Sequence, residues 1–146
     1  MWPKKILIVE DQDGVGESTK STLQNHFSPA TVYLSQFCDD AYIKFQKEEK
    51  MDVPFDLLVT DLSFRQHYKD RMINSGKALI QKIRFLNKSV PIIVYSVEER
   101  EFLVQTLFQK CGINAYVLKG RDGLQQMAQA VQQLAKNQRY ISPEIE

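Results

Sequence analysis

Three acidic residues follow apolar runs of strand length, at positions where side chains can take part in chemistry. Glu10 and Asp11 come directly after the run 6–9, and Asp61 follows the run 57–60. In a parallel α/β sheet the carboxyl ends of neighbouring strands meet at one crevice, so these carboxylates are expected to lie close together. Converging carboxylates raise one another's pKa or hold a hard divalent cation, and an oxygen-lined site partly open to water suits Mg²⁺. The sequence therefore predicts an acidic pocket that binds Mg²⁺.

Two further strand ends add a hydroxyl and an ammonium group. Ser96 follows the apolar run 91–95, and Lys119 follows the run 115–118. A phosphoryl group on Asp61 would carry close to two negative charges, which a metal ion, a lysine and a hydroxyl donor could neutralise. Taken singly, Ser96 could equally cap a helix, and Lys119 could be a solvated turn residue. The complete set of polar strand ends favours one shared site.

The elements that must position these residues alternate along the chain. Apolar runs of strand length are followed by segments of helical period, which favours βα units around a parallel sheet. Three runs are almost wholly apolar, as in a doubly wound sheet covered on both faces, whereas the run 31–35 alternates and is expected at an edge. Gly112 and the pair Asp122–Gly123 are typical of a helix end and a helix start. The predicted strands are 5–9, 31–35, 55–60, 91–95 and 115–118.

Composition sets ordinary limits on the function. The 146 residues fit one domain, and 19 Lys and Arg against 18 Asp and Glu give a net charge of +1, so no nucleic-acid coat or general membrane attraction is indicated. Apolar stretches fall far short of the roughly 20 residues of a membrane helix, and residues 1–5 do not form a signal peptide. A cytoplasmic protein is expected. Cys38 and Cys111 lack metal-type spacing and are interpreted as small core residues, with a redox thiol as the alternative.

The sequence resembles the receiver domains of two-component response regulators over essentially its whole length. The resemblance rests on the acidic pair that ends the first strand, the strand that ends in Asp61, and the strands that end in Ser96 and Lys119. The matching segments are 6–11, 56–61, 92–96 and 116–119. This family implies a doubly wound five-stranded parallel sheet of the flavodoxin/CheY-like type, with strand order 2-1-3-4-5.

The resemblance also implies a role for each site residue. Asp61 would accept a phosphoryl group from a sensor histidine kinase or a phosphotransfer protein, and Ser96 and Lys119 would contact the phosphoryl oxygens. Tyr116 would be the rotating aromatic residue of a switch, which changes the surface between the fourth strand and the fifth helix. Mg²⁺ would be held by the side chains of Glu10, Asp11 and Asp61 and by the main-chain carbonyl of Ser63.

The chain departs from the family pattern beside the pocket. The loop 63–75 is longer than usual, and Gly76 is the best match to a glycine that the family has soon after the phosphoacceptor. Val97 replaces a small residue and is expected to crowd the approach of a phosphoryl group, which predicts slow phosphorylation. The loop is polar, and His67 within it is a weak site candidate, because most such loops are simply solvated.

The C-terminal residues point to a longer protein. Residues 1–137 are expected to form the receiver, and residues 138–146 resemble the junction that precedes a helix-turn-helix output domain in NarL/LuxR-type regulators. DNA binding would then come only through a domain beyond Glu146, in a transcription regulator. The predicted fourth helix carries more apolar residues than one buried stripe needs, which indicates a partner or homodimer surface. These residues are Phe102, Leu103, Val104, Leu107 and Phe108.

Two other functions compete with a phosphorylated switch. One is a receiver-like interaction module that signals without phosphorylation, which the changed loop and Val97 favour. The other is a metal-dependent phosphatase that would use Asp61 as a transient nucleophile, but such enzymes want a second acid two positions later, where Ser63 stands. The sequence favours a phosphoacceptor signalling domain that assists its own phosphorylation and dephosphorylation, rather than an enzyme acting on external substrates.

Overall fold

A parallel sheet flanked by helices forms from the apolar runs of the sequence. The computed structural model describes residues 2–64 and 72–145. Within these ranges the strands are Lys5–Val9 (β1), Thr31–Ser35 (β2), Leu57–Thr60 (β3), Ile92–Ser96 (β4), Ala115–Leu118 (β5) and Tyr140–Ile141 (β6). The helices there are Asp13–His26 (α1), Cys38–Glu48 (α2), Gly76–Leu86 (α3), Glu101–Cys111 (α4) and Gly123–Ala135 (α5).

The strands lie in the order β2-β1-β3-β4-β5-β6, and all neighbouring pairs are parallel. The order of the first five strands confirms the prediction. Val9 is level with Ser35 and Thr60, and Thr60 is level with Val94, so the carboxyl ends of these strands meet at one edge of the sheet. β1, β3 and β4 are buried throughout, while β2 alternates and lies at the edge, as its composition predicted.

Helices cover both faces of the sheet. One apolar cluster lies between the sheet and α2, α3 and α4, and a second lies between the sheet and α1 and α5. Cys38 and Cys111 belong to the first cluster and are 2% and 4% exposed, which confirms that they are core residues. None of the helices in the described ranges is both long enough and apolar enough to cross a membrane.

β6 extends the sheet beyond the five predicted strands. The edge of β5 would otherwise leave main-chain groups unpaired, and the chain returns to cover it. The Ser142 N–H donates to the Tyr116 carbonyl (3.0 Å), and the Leu118 N–H donates to Ser142 Oγ (2.8 Å). Ile145 is only 4% exposed and belongs to the apolar core. Residues 140–145 therefore pack against the α/β body, and the start of a linker at residue 138 stays a prediction about a longer protein.

Candidate functional site

Four of the predicted site residues lie where parallel strands end. Glu10 directly follows β1, Asp61 follows β3, Ser96 is the last residue of β4, and Lys119 follows β5. Because the strands are parallel and in register, their ends bring these residues to the same edge of the sheet. Glu10, Asp61 and Ser96 are 3%, 6% and 1% exposed, which is unusual for polar side chains at strand ends. Polar groups buried this deeply need partners.

Lys119 supplies the partner for both buried carboxylates. Its Nζ lies 2.9 Å from Glu10 Oε1 and 2.7 Å from Asp61 Oδ2. One ammonium therefore bridges the acid that follows β1 and the acid that follows β3. The sequence predicted that these three residues share one site, and the structure brings them together.

Two main-chain groups and one side-chain hydroxyl hold the other polar atoms of Asp61. The Leu62 N–H donates to Asp61 Oδ1 (2.6 Å), and the Asp61 N–H donates to the Val9 carbonyl (3.2 Å). The Thr60 hydroxyl donates to the Asp61 carbonyl (2.9 Å). These contacts fix the direction in which the carboxylate points. Sequence reasoning did not identify the Leu62 amide, because a backbone group carries no signal in the residue type.

Gly76 packs directly against the backbone of Asp61. A Cβ atom at this position would lie 1.9 Å from the Asp61 carbonyl oxygen, so no residue with a side chain fits without moving the backbone. In the resemblance to receiver domains, Gly76 matches the glycine that follows the phosphoacceptor. The structure gives a physical reason for a glycine at this position, despite the long loop that precedes it.

Burial and charge shift the ionisation of the bridged groups. Burial raises the pKa of Glu10, although the hydrogen bond and the charge of Lys119 oppose this shift. For Lys119, burial disfavours the ammonium, but the hydrogen bonds and charges of Asp61 and Glu10 together outweigh it and raise the pKa. Lys119 is therefore charged at neutral pH and compensates the negative charge of the pocket.

Ser96 and Tyr116 form the other side of the site. The Glu98 N–H donates to Ser96 Oγ (3.3 Å), while the Tyr116 hydroxyl donates to the Glu98 carbonyl (2.6 Å). Tyr116 is fully buried. Burial raises its pKa to about 12, although a hydrogen bond with Ser96 works in the opposite direction. The hydroxyl at the site and the predicted switch aromatic thus share a hydrogen-bond partner, the main chain of Glu98.

The oxygen donors near Asp61 are of the kind that Mg²⁺ prefers. Asp11 is half-buried beside Glu10, and Ser63 forms an antiparallel bridge with Ser75. Within residues 2–64 and 72–145, no three or more His, Cys, Asp and Glu side chains form a group that could hold a metal ion. Mg²⁺ usually keeps several water ligands and binds only one or two carboxylates together with phosphate oxygens, so the oxygen donors here fit this ion. The proposed set of four ligands stays a prediction.

The sequence departs from the family pattern at Val97 and in the loop that contains His67. Val97 is 67% exposed, so its side chain points mostly to solvent. His67 and most of the polar loop lie outside the described residues.

The fold and the site together define the class to which the chain is similar: receiver domains of response regulators. One similar structure is the isolated receiver domain of RcsB from Salmonella enterica serovar Typhimurium with phosphomimetic BeF3⁻, with a TM-score of 0.80 and 19% identity over 97% of this chain and 95% of that one. Another is a LuxR-family two-component response regulator from an Aurantimonas species, with a TM-score of 0.78 and 22% identity over 97% and 91%. At these identities the structures establish the fold.

A curated sequence relative extends the similarity beyond the fold. The response regulator GacA of Pseudomonas aeruginosa is 29% identical over 145 residues, which are 97% of this chain and 59% of that protein. The resemblance to response-regulator receiver domains is thereby confirmed. The chain spans less than two thirds of GacA. No protein-family model matches the chain.

Proposed function

We propose that this chain is a phosphorylation-dependent switch, in which Asp61 accepts a phosphoryl group from a histidine kinase or a phosphotransfer protein. The observation that carries this proposal is the buried ammonium of Lys119, which contacts Asp61 at 2.7 Å and Glu10 at 2.9 Å. A nucleophilic carboxylate beside a fixed cation is suited to phosphoryl transfer, where catalysis consists mainly of positioning and charge neutralisation.

The chemistry begins with an Asp61 carboxylate oxygen attacking the phosphorus of a phosphohistidine. The new O–P bond forms as the P–N bond breaks, and the leaving imidazole nitrogen keeps the electron pair and takes a proton from solvent. Lys119 balances the charge of the acyl phosphate on one side, and the Leu62 amide orients the carboxylate. The Ser96 hydroxyl supplies a donor for a phosphoryl oxygen.

Mg²⁺ is proposed as the cofactor, held by the side chains of Glu10, Asp11 and Asp61 and by the main-chain carbonyl of Ser63. When bound, the ion would neutralise phosphoryl oxygens and align them for transfer. The donor set contains only hard oxygen atoms, which supports this assignment over a transition metal.

Phosphorylation is proposed to reach the surface through Ser96 and Tyr116. Ser96 Oγ accepts a hydrogen bond from the Glu98 N–H, and the Tyr116 hydroxyl donates to the Glu98 carbonyl in the connection between β4 and α4. A phosphoryl group that draws Ser96 towards Asp61 changes the partners of Tyr116 and biases an existing equilibrium between two arrangements. The face that runs from β4 to α5 would report the change to a partner.

The output is proposed to be transcriptional. The C-terminal residues resemble a NarL/LuxR-type junction, and the chain covers 59% of the response regulator GacA. A helix-turn-helix domain beyond Glu146 would bind DNA, with this chain controlling it. Sequencing the gene past Glu146 tests whether such a domain follows. A stop codon directly after the codon for Glu146 would contradict the proposed output.

A second function is favoured by one observation. Directly after Ser96 stands Val97, where receiver domains have a small residue that leaves room for a phosphoryl group. This larger side chain is compatible with a receiver-like module that signals through a protein partner alone. Titration with beryllofluoride and Mg²⁺ separates the two functions, because the module would give no Mg²⁺-dependent change in the spectra of residues around Asp61.

The test of the main proposal is phosphorylation by a small-molecule donor. We expect acetyl phosphate with Mg²⁺ to add one phosphoryl group to the wild-type chain and none to Asp61→Asn, as measured by intact-mass spectrometry. Asp52→Asn is the control, because Asp52 is exposed and lies outside the site. Equal labelling of wild type and Asp61→Asn, or no labelling of either, would contradict the proposal.

A further inference from the structure

The chain that leaves Asp61 is held in place by the chain that returns towards α3. The Gly76 N–H donates to the Leu62 carbonyl (2.9 Å), and Ser63 forms its antiparallel bridge with Ser75. The position of the Ser63 backbone therefore depends on the returning segment. This matters because the Ser63 carbonyl is one of the proposed Mg²⁺ ligands.

The returning segment is in turn fastened to the start of α2. Asp39 Oδ2 accepts a hydrogen bond from the Met72 N–H (3.0 Å), and Asp39 Oδ1 accepts one from the Ile73 N–H (2.7 Å). Next to it, the Cys38 thiol donates to the Ser75 carbonyl (3.7 Å). Ile73 is 5% exposed and enters the apolar core, which gives the segment a second anchor.

The contacts of Asp39 are not those of an ordinary residue in a first helical turn. A carboxylate there usually stabilises the N-terminus of its own helix. Here both oxygens accept from another segment, in charge-assisted hydrogen bonds that are about twice as strong as neutral ones. Closing a long loop costs more conformational entropy than closing a short one. The ends of the loop 63–75 therefore need strong hydrogen bonds if the Ser63 carbonyl is to be held in a fixed position.

Charges confirm that the start of α2 adjoins the acidic site. Burial raises the pKa of the Cys38 thiol to about 12, and the charges of Asp39, Asp11 and Asp61 add to this effect. The start of α2 is therefore within range of the charges of Asp11 and Asp61, and its connection to the backbone beside Asp61 runs through the hydrogen bonds of the returning segment.

We propose that Asp39 is a positioning residue for Mg²⁺ binding: by holding the main-chain N–H groups of Met72 and Ile73, it fixes the Ser75 backbone and thereby the Ser63 carbonyl. This inference rests on the proposed function. In this role Asp39 would touch neither the metal nor the phosphoryl group and would act only through the backbone of the loop.

The test compares Asp39→Ala with Asp40→Ala. Asp40 is the neighbouring exposed residue in the same turn of α2, so the control removes the same charge from the same helix end. Mg²⁺ affinity is measured by calorimetric titration with MgCl₂. We expect Asp39→Ala to weaken it roughly ten- to a hundredfold, as is typical when a supporting partner of a metal ligand is lost, and Asp40→Ala to leave it near wild type. Asp39→Asn keeps one acceptor oxygen and should fall between.

Phosphorylation by acetyl phosphate separates positioning from general damage. Asp39→Ala should need more Mg²⁺ for half-maximal rate by the same factor as the calorimetric shift, while the rate at saturating Mg²⁺ stays close to that of wild type. Equal Mg²⁺ affinity of Asp39→Ala and Asp40→Ala would overturn the inference, as would a lower saturating rate with unchanged affinity. Should Asp39→Ala prove unfolded by circular dichroism, an unchanged affinity of folded Asp39→Asn would overturn it.

The proposed function can fail independently of this inference. A wild-type chain that neither binds Mg²⁺ nor accepts a phosphoryl group would refute both. A wild-type chain that does both, alongside an Asp39→Ala variant that matches Asp40→Ala, would refute only the role of Asp39.

Discussion

Lys119→Met removes the cation that two buried carboxylates share. The burial of these groups indicates how much the substitution lowers the free energy of unfolding. Glu10 and the Asp61 side chain are 3% and 7% exposed, and the Lys119 side chain is 11% exposed, so the ion pairs are shielded from solvent. Removing one partner of a buried pair typically costs about 3–5 kcal/mol, because a charge is left without compensation. For a domain of this size, this lowers Tm by roughly 10 °C.

The cost should depend on pH in a direction set by Glu10. Burial already raises the pKa of Glu10 in the folded chain, and loss of the Lys119 ammonium raises it further. At a pH between the pKa of Glu10 in the unfolded chain and its higher pKa in the folded chain, the folded variant binds more protons than the unfolded one. The free energy of unfolding of the variant is therefore greatest below the unfolded-state pKa, and it falls as the pH rises through the folded-state pKa. Lys119→Met should be most damaging at about pH 8 and less so at about pH 5.

Urea unfolding at both pH values measures this effect, with the exposed Lys88→Met as control. Glu10→Gln introduced into Lys119→Met should recover part of the lost stability at the higher pH, because one of the two stranded charges is removed. An equal loss in the free energy of unfolding for Lys119→Met and Lys88→Met would contradict this prediction. A loss for Lys119→Met that is the same at both pH values would also contradict it.

Two further substitutions test the packing around the site. Gly76→Ala should lower the free energy of unfolding by about 1–3 kcal/mol or more in urea unfolding, because its Cβ would lie 1.9 Å from the Asp61 carbonyl oxygen. Gly14→Ala, whose Cβ would meet nothing within 4 Å, should not destabilise, and equal effects would contradict the packing. Ser142→Ala should cost about 1–3 kcal/mol, because the Leu118 N–H loses its acceptor. Thermal unfolding against the exposed Ser21→Ala measures this, and no difference would show that β6 is not held through Ser142.

Periodicity predicted the sheet well because most of its strands are covered on both faces. The runs 5–9, 31–35 and 115–118 became β1, β2 and β5 with unchanged limits, and β3 and β4 shifted by one or two residues. β6 gave no comparable signal, since a strand of two residues at a sheet edge shows neither an apolar run nor an alternation. Its place depends on the open edge of β5, which only the assembled sheet provides.

The side chains of the site were more predictable than their partners. Strand ends in a parallel sheet converge, so the meeting of Glu10, Asp61 and Lys119 follows from topology and residue type. The Leu62 amide and the Glu98 carbonyl could not be found in this way, because every residue type carries such groups. The contacts of Asp39 were also invisible, since its partners lie more than 30 positions away in an irregular segment.

Direct mapping of the modified residue tests the central claim most closely. The wild-type chain is treated with acetyl phosphate and Mg²⁺, the acyl phosphate is reduced with borohydride, and the digested peptides are analysed by tandem mass spectrometry. Reduction of an aspartyl phosphate gives homoserine, which we predict at position 61 alone and only in samples that contained Mg²⁺. Homoserine at another aspartate, or none anywhere despite a folded chain, would contradict Asp61 as the phosphoacceptor.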